Sequence, residues 1–331
     1  MKVLVTGANG FVGSTLCRKL AAAGHQVRGL VRATSDLSLL ADAPIQIVTG
    51  SLSDSESLAQ ATLGMEMVYH VAAAVTDWGS LEYFRKVNVE GTRNIIEAAI
   101  LNQIPRFLYV SSVAVASFSD LRNMDEDAPQ LPTPYPYCQT KREAEELVWS
   151  FHQKGMIQAV IVRPGDIYGP GDRVSLLPMG EMLRKRQLPL VAGGHKLGAF
   201  TYIDNLVDGM ILAGSTDKAF GRTYILTDGI EMSWCTYFEK LTDALGYPHP
   251  NLSINPQLGY AAASILEGVY LLFRIQQRPP FSRYLVNHLS TDFHFSIERA
   301  KTELGYNPLT DVNETIRRTA DWYKQYLITH Q

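Results

Sequence analysis

The sequence predicts an α/β protein built on a doubly wound parallel sheet, with a smaller α+β lobe toward the C-terminus. Three observations predict it. The first half alternates short β-branched and Leu runs with helical patterns, strand after helix after strand. Those runs are unbroken, as strands buried on both faces require. A glycine-spaced turn joins the first strand to the first helix. With 331 residues, 46% hydrophobic and 19% charged, the chain has enough apolar surface to fold, and disorder is excluded as its main state.

The run 2–6 (KVLVT) is a strand. Its apolar stretch stops at Thr6-Gly7, far short of the roughly 7–15 residues a signal peptide needs. A helical pattern from Phe11 to Ala23 puts Leu16 and Leu20 on one face and stops at Gly24. Strands follow at 26–31 and 45–50, then a helical pattern at 54–63 and a strand at 67–72. A long helix is predicted near 81–102, a strand at 106–112, a helix from Tyr137 to Lys154 and a strand at 159–164. Beyond Gly165, Gly and Pro break the rhythm. Residues 1–170 and 200–228 are therefore assigned to the sheet domain, with 200–203 and 223–227 returning to it as strands. Residues 171–199 and 229–331 form the second lobe.

Composition excludes several classes of function. Net charge is −3, so no global positive field recruits nucleic acid or an anionic membrane. Cys17, Cys138 and Cys235 are too scattered for a metal box or a disulfide framework, and the chain reads as cytoplasmic. The one membrane-like stretch, Leu258 to Phe273, is shorter than the ~20 residues of a spanning helix and carries Glu267.

The first turn carries chemistry. Gly7, Gly10 and Gly13, with Asn9, Phe11 and Val12 between them, stand where a strand hands over to a helix. The first glycine permits the turn, the second lets backbone approach a pyrophosphate, and the third allows close helix–sheet packing. The helix N-terminus offers free N–H groups to the anion. The second strand ends in Val31-Arg32, where an NAD-specific fold usually places Asp or Glu. An Arg without the acid favours a 2′-phosphate, hence NADP, with NAD the other cofactor open; a solvated strand-end Arg is the plain alternative.

Tyr137 and Lys141 stand at i and i+4 on one helix face. A phenol is a weak acid near neutrality, and an adjacent cation favours its phenolate. Ser111 and Ser112 end the strand at 106–112, where open α/β sheets bind ligands. With Ser112 25 residues before Tyr137, the chain resembles the extended short-chain dehydrogenase/reductase family, of the NAD-dependent epimerase/dehydratase type. The segments 68–73, 88–92, 163–172 and 202–205 carry the same resemblance, which spans essentially the whole chain.

The resemblance implies a Rossmann fold and a catalytic triad of Ser112, Tyr137 and Lys141. It implies that Ala72 and Ala73 lie along the nicotinamide ribose, that Pro164 borders the nicotinamide, and that Asn88 braces the sheet. Ser51 and Leu52 stand where the family often meets adenine with an Asp. Val113-Ala114 replace the acidic pair of the sugar-nucleotide dehydratases, which disfavours elimination chemistry. A homodimer through the helix after Asn88 and the Tyr137 helix is expected on the same ground.

Leu258 to Phe273 is apolar at helical spacing. It reads as a core helix of the second lobe, the wall of an oily pocket, or a membrane-surface contact. With residues 279–286 and 300–308 it resembles the 3β-hydroxysteroid and sterol-4α-carboxylate 3-dehydrogenase branch and the 2-alkyl-3-oxoalkanoate reductases. The substrate expected is a small hydrophobic ketone or secondary alcohol: sterol-like, 3-oxoacyl or flavonoid-like. Trp78 is a candidate for the pocket roof, or a packed surface Trp. His195 and Lys196 are candidates for a substrate carboxylate, or a solvated loop, and Arg184-Lys185-Arg186 reads as a solvated helix end. The rival functions are an NAD-dependent sugar-nucleotide epimerase and a non-catalytic NADPH-binding regulator.

Overall fold

The computed structural model describes every residue except Ser119, Gln276 and Gln331. Gln276, inside the Arg- and Pro-rich run 274–286, and Gln331, at the end of the assigned lobe, thus lie outside the described residues. Seven parallel strands form the main sheet in the order Thr223–Leu226, Gln158–Pro164, Arg106–Val110, Met67–His70, Lys2–Thr6, Gln26–Val31, Gln46–Thr49. Strand order reverses between Lys2–Thr6 and Met67–His70, and open α/β sheets bind ligands at such a switch point.

Residues alternate between two cores. Val3 and Val5 pack with Leu16, Leu20, Leu206 and Met210 from the helices Phe11–Ala22 and Ile203–Ser215. Leu4 faces the other way, onto Ile95 and Ile96 of Gly91–Leu101 and Leu147 and Val148 of Pro136–Gln153. Burial on both faces is what the unbroken apolar strands require. The helix predicted near 81–102 starts at Leu81–Phe84, widens into a π turn at Arg85–Glu90 and continues as Gly91–Leu101. Such widened turns often sit at functional sites.

Of the two segments expected to return to the sheet, Thr223–Leu226 forms its edge. Phe200–Tyr202 instead pairs in parallel with Asp166–Tyr168, in a separate two-stranded ladder. The reason is Gly165: a Cβ there would stand 1.9 Å from the Ala199 carbonyl oxygen. Only a glycine lets the chain leave the main sheet after Pro164 this close to its neighbour. Pro189–Val191 pairs with Leu252–Ile254, and Leu121–Met124 with Phe293–Phe295.

The apolar stretch near 258–273 forms the helix Pro256–Leu272, and it is not a core helix. Gly259, Ala263 and Glu267 are its buried residues, whereas Leu258, Ile265, Leu271 and Leu272 are each at least 66% exposed. Among the described residues, no helix is long and apolar enough to cross a membrane.

Candidate active site

The glycine turn is built as its spacing predicts. Gly7 has φ +67°, and a Cβ there would come within 2.9 Å of the Ala72 Cα. A Cβ on Gly13 would stand 2.1 Å from the Gly7 carbonyl oxygen, so the helix Phe11–Ala22 starts hard against the turn. That helix has no side-chain cap at Gly10 and no acidic residue in its first turn. Its first N–H groups are left for an anion.

A relay of hydrogen bonds fixes the facing loop. The Thr6 hydroxyl accepts from the N–H groups of Val71 (3.2 Å) and Ala72 (3.1 Å) and lies 2.8 Å from His70 Nδ1. His70 Nε2 lies 3.0 Å from the Thr92 hydroxyl, which donates to the Asn88 carbonyl at 2.6 Å. That last bond uses the Thr92 proton, so His70 donates from Nε2 and accepts from Thr6 at Nδ1. Burial, with the nearby Lys141 charge adding to it, pulls the His70 pKa down to about 3. Asn88 clamps the same loop from the π turn: its Oδ1 accepts from Ala74 N–H (2.7 Å) and its amide donates to Ala74 O and to Thr140. Asn88 thus braces the loop carrying Ala72 and Ala73 against the Tyr137 helix.

The remaining cofactor candidates line the same edge of the sheet. Val31 is buried and Arg32 exposed; Asp36, the acid nearest in sequence, is taken by Arg173 at 2.8 Å. The Leu52 carbonyl accepts from Asn94, and the Leu52 side chain fills the space beside Gly91. The Ser51 N–H donates to the Ser57 hydroxyl. Pro164 is buried at the end of its strand.

Ser112, Tyr137 and Lys141 come together beside that edge. The Ser112 hydroxyl accepts from Ala114 N–H at 3.1 Å and acts on the Tyr137 phenol. Ser111, next to it, has a buried hydroxyl without a partner among the described residues. Burial pushes the Tyr137 phenol up to about 12, against the downward pull of the Ser112 hydroxyl. Lys141, 2% exposed, donates to Val110 O (2.7 Å) and Tyr109 OH (3.1 Å). Burial brings its pKa down to about 7, opposed by Glu145. The Lys141 head group is turned onto Val110 and Tyr109. One turn further along the helix, Glu145 is paired with Arg163 through two bonds of 2.9 and 2.6 Å.

An aromatic wall that the sequence reading missed stands over Tyr137. Phe118, Tyr135 and Tyr284 meet edge to face at 5.1 to 5.5 Å and pack with Tyr137 and Cys138. His288 stacks on Tyr284 and pairs with Asp166 at 2.7 Å. Asp166 follows Pro164-Gly165 in a segment already singled out. Tyr284 lies in the segment 279–286, singled out for its resemblance but given no role of its own; His288 gave no such signal, since a lone aromatic on a helix reads as packing. Asp77 ties the loop after Ala74 to the second lobe by pairing with Arg278 and accepting from Ser282. Trp78, half-buried, meets Tyr270 edge-on at 6.0 Å. Lys196 is held by Asp120 (2.8 Å) and Asp292 (3.7 Å), so its charge is answered within the protein. Arg184 and Lys185 both pair with Glu181 at the surface.

A turn of uncapped N–H groups, a backbone approach only glycine allows and an orphaned buried hydroxyl fit a dinucleotide. A family model described as the NAD dependent epimerase/dehydratase family matches residues 3–226. The chain belongs to that family. It is an NAD(P)-dependent oxidoreductase of the extended short-chain dehydrogenase/reductase type. It is 31% identical to a 2-alkyl-3-oxoalkanoate reductase of Stenotrophomonas maltophilia, over 96% of this chain and 98% of that one. It is 30% identical to a 3-beta-hydroxysteroid dehydrogenase of Mycolicibacterium neoaurum, over 97% and 91%. The crystal structure of gox2253 superposes with TM-score 0.80 at 31% identity, covering 98% of both chains. A Bacillus cereus UDP-glucuronic acid 4-epimerase, in complex with UDP-glucuronic acid and NAD, shares the fold at TM-score 0.78 and 22% identity, over 98% of this chain and 100% of that one.

Proposed function

We propose that this oxidoreductase interconverts a ketone and a secondary alcohol on a hydrophobic substrate, sterol-like, 3-oxoacyl or flavonoid-like, with NADP as the preferred cofactor. The observation that carries it is Tyr137 packed against the wall of Phe118, Tyr135 and Tyr284, with the Ser112 hydroxyl acting on its phenol. Gly7, Asn9, Gly10, Phe11, Val12 and Gly13 would hold the pyrophosphate, Arg32 the 2′-phosphate, Ser51 and Leu52 the adenine. Ala72, Ala73, Pro164 and Lys141 would hold the nicotinamide riboside. When bound, the cofactor supplies or accepts the hydride. Ser112, whose oxygen already accepts from Ala114, has its proton to give and polarises the substrate oxygen. Tyr137, a neutral phenol throughout the physiological range, donates its proton to that oxygen in reduction and recovers it in oxidation.

The named relatives act in the same sense: a reductase of alkyl-oxoalkanoates and a hydroxysteroid dehydrogenase. The test follows NADPH consumption across a panel of hydrophobic ketones, with Tyr137→Phe as control and fluorescence titrations of NADPH and NADH. Turnover of an apolar ketone, lost by about 10²–10⁴ in Tyr137→Phe with NADPH binding retained, is the expected result. An Arg32→Ala variant should lose the NADPH preference by about 10- to 100-fold, the worth of one charge-assisted hydrogen bond or a bidentate pair. Tightly held NAD that survives dialysis, with no ketone turned over, would overturn the reading in favour of an epimerase.

A further inference from the structure

The helix Pro256–Leu272 is inside out. Its one charged residue, Glu267, is buried and paired with Arg283, while its apolar side chains face outward. Leu258, Ile265, Val269, Leu271, Leu272 and Phe273 are between 41% and 76% exposed, all within sixteen positions. The other large apolar side chains that the described residues expose are scattered along the chain, as is usual at a protein surface. A helix ordered with its acid inward and its leucines outward is built for an apolar neighbour.

Charge says which neighbour. Residues 256–286 hold one acid, Glu267, and three arginines, Arg274, Arg278 and Arg283, in a chain whose net charge is −3. The carboxylates that pair with Arg278 and Arg283, those of Asp77 and Glu267, are 4% and 9% exposed; the arginines are 54% and 40% exposed. The acids lie beneath and the cations face out. No acidic residue occurs between Asp243 and Glu267 or between Glu267 and Asp292, so this segment of a second copy would bring these arginines no exposed carboxylate of its own. An apolar helix flanked by outward arginines matches a bilayer with anionic headgroups.

We propose that the outward face of Pro256–Leu272, with Phe273, Arg274 and Arg278 at its end, docks on the surface of an anionic lipid bilayer. Why it should dock there rests on the apolar-substrate reading above. A groove of about 430 Å³ lined by Pro256, Gln257, Tyr260, Asn287 and Ser290 runs beside the docking face. Asn287 in that groove donates to Tyr135 OH at 2.6 Å, and Tyr135 immediately precedes the helix that carries Tyr137. A substrate dissolved in the bilayer would meet the protein on the side where its groove opens.

The test is flotation of the full chain with vesicles of phosphatidylcholine alone and of phosphatidylcholine with phosphatidylglycerol. The wild type is expected to float with the anionic vesicles. An Ile265→Glu/Leu272→Glu variant should lose at least about tenfold in partitioning, and Arg274→Gln about fivefold on anionic vesicles only. Both glutamates replace exposed side chains, and unchanged NADPH binding and melting temperature verify the fold. Wild type that stays with neither vesicle, or a double variant that floats like wild type, overturns the proposal. So does light scattering in which the double variant is a smaller oligomer than a wild type that ignores lipid, which would assign the face to a second copy. Flotation needs no turnover: failure of the ketone panel with flotation intact overturns the substrate reading alone, and the converse overturns docking alone.

Discussion

Replacing Lys141 by Met should stabilise the cofactor-free protein while disabling it, and the gain should depend on pH. The ammonium is 2% exposed, and burial brings its pKa from 10.5 to about 7. At about 1.4 kcal/mol per pH unit, this buried charge opposes folding by about 5 kcal/mol wherever both states are protonated. Met removes that opposition but leaves Tyr109 OH and Val110 O without their donor, which returns roughly 2–3 kcal/mol. The net gain at about pH 6 is roughly 2 kcal/mol, a rise in melting temperature of a few degrees. The pKa is depressed in the native state, so this account makes stability rise with pH between about 7 and 10.5, as the native lysine sheds its proton before the unfolded one. At about pH 9 some 3 kcal/mol of the opposition is gone, and the gain should shrink to nothing or change sign. The assay is thermal unfolding of wild type and Lys141→Met at both pH values; groups untouched by the substitution cancel in the difference. A variant less stable than wild type at the lower pH, or a difference that ignores pH, would refute the reasoning.

Two further perturbations test the frame around the site. Gly7→Ala places a Cβ within 2.9 Å of the Ala72 Cα at φ +67°. It should cost at least about 2 kcal/mol in urea unfolding and weaken NADPH binding, and a neutral result would show that the turn has room to move. Arg163→Met leaves Glu145 buried without its partner and should lose about 3–5 kcal/mol. The double change Arg163→Met/Glu145→Met should regain most of that, whereas additive losses would mean the ion pair is not what the helix depends on.

The sheet and the glycine turn were legible because their causes are local. A strand buried on both faces must be an unbroken apolar run, and a turn whose Cβ would come within 2.9 Å of the facing backbone needs a glycine wherever it occurs. Ser112 and Tyr137 were paired through the family resemblance; the residues alone place one near the end of a strand and the other at the start of a helix. The relay through Thr6, His70 and Thr92 left only its types in the sequence, since no spacing rule links residues 64 and 22 positions apart. The same limit hid the wall over Tyr137. Phe118, Tyr135 and Tyr284 meet only because an element from the far end of the chain folds back over the catalytic helix.

For Pro256–Leu272 the sequence left three readings open, and for a different reason. Periodicity finds an apolar face but not what covers it, and the usual assumption is that a lone acid marks the wet side. Here Glu267 marks the dry side, because Arg283 reaches it through two bonds: its backbone N–H donates at 2.7 Å and its guanidinium at 2.6 Å. That pairing supplies what water would have given the carboxylate, and so frees the opposite face to be apolar. The arginine sixteen residues downstream is therefore the partner that lets this acid face inward, and it lies beyond the end of the helix whose amphipathicity is measured.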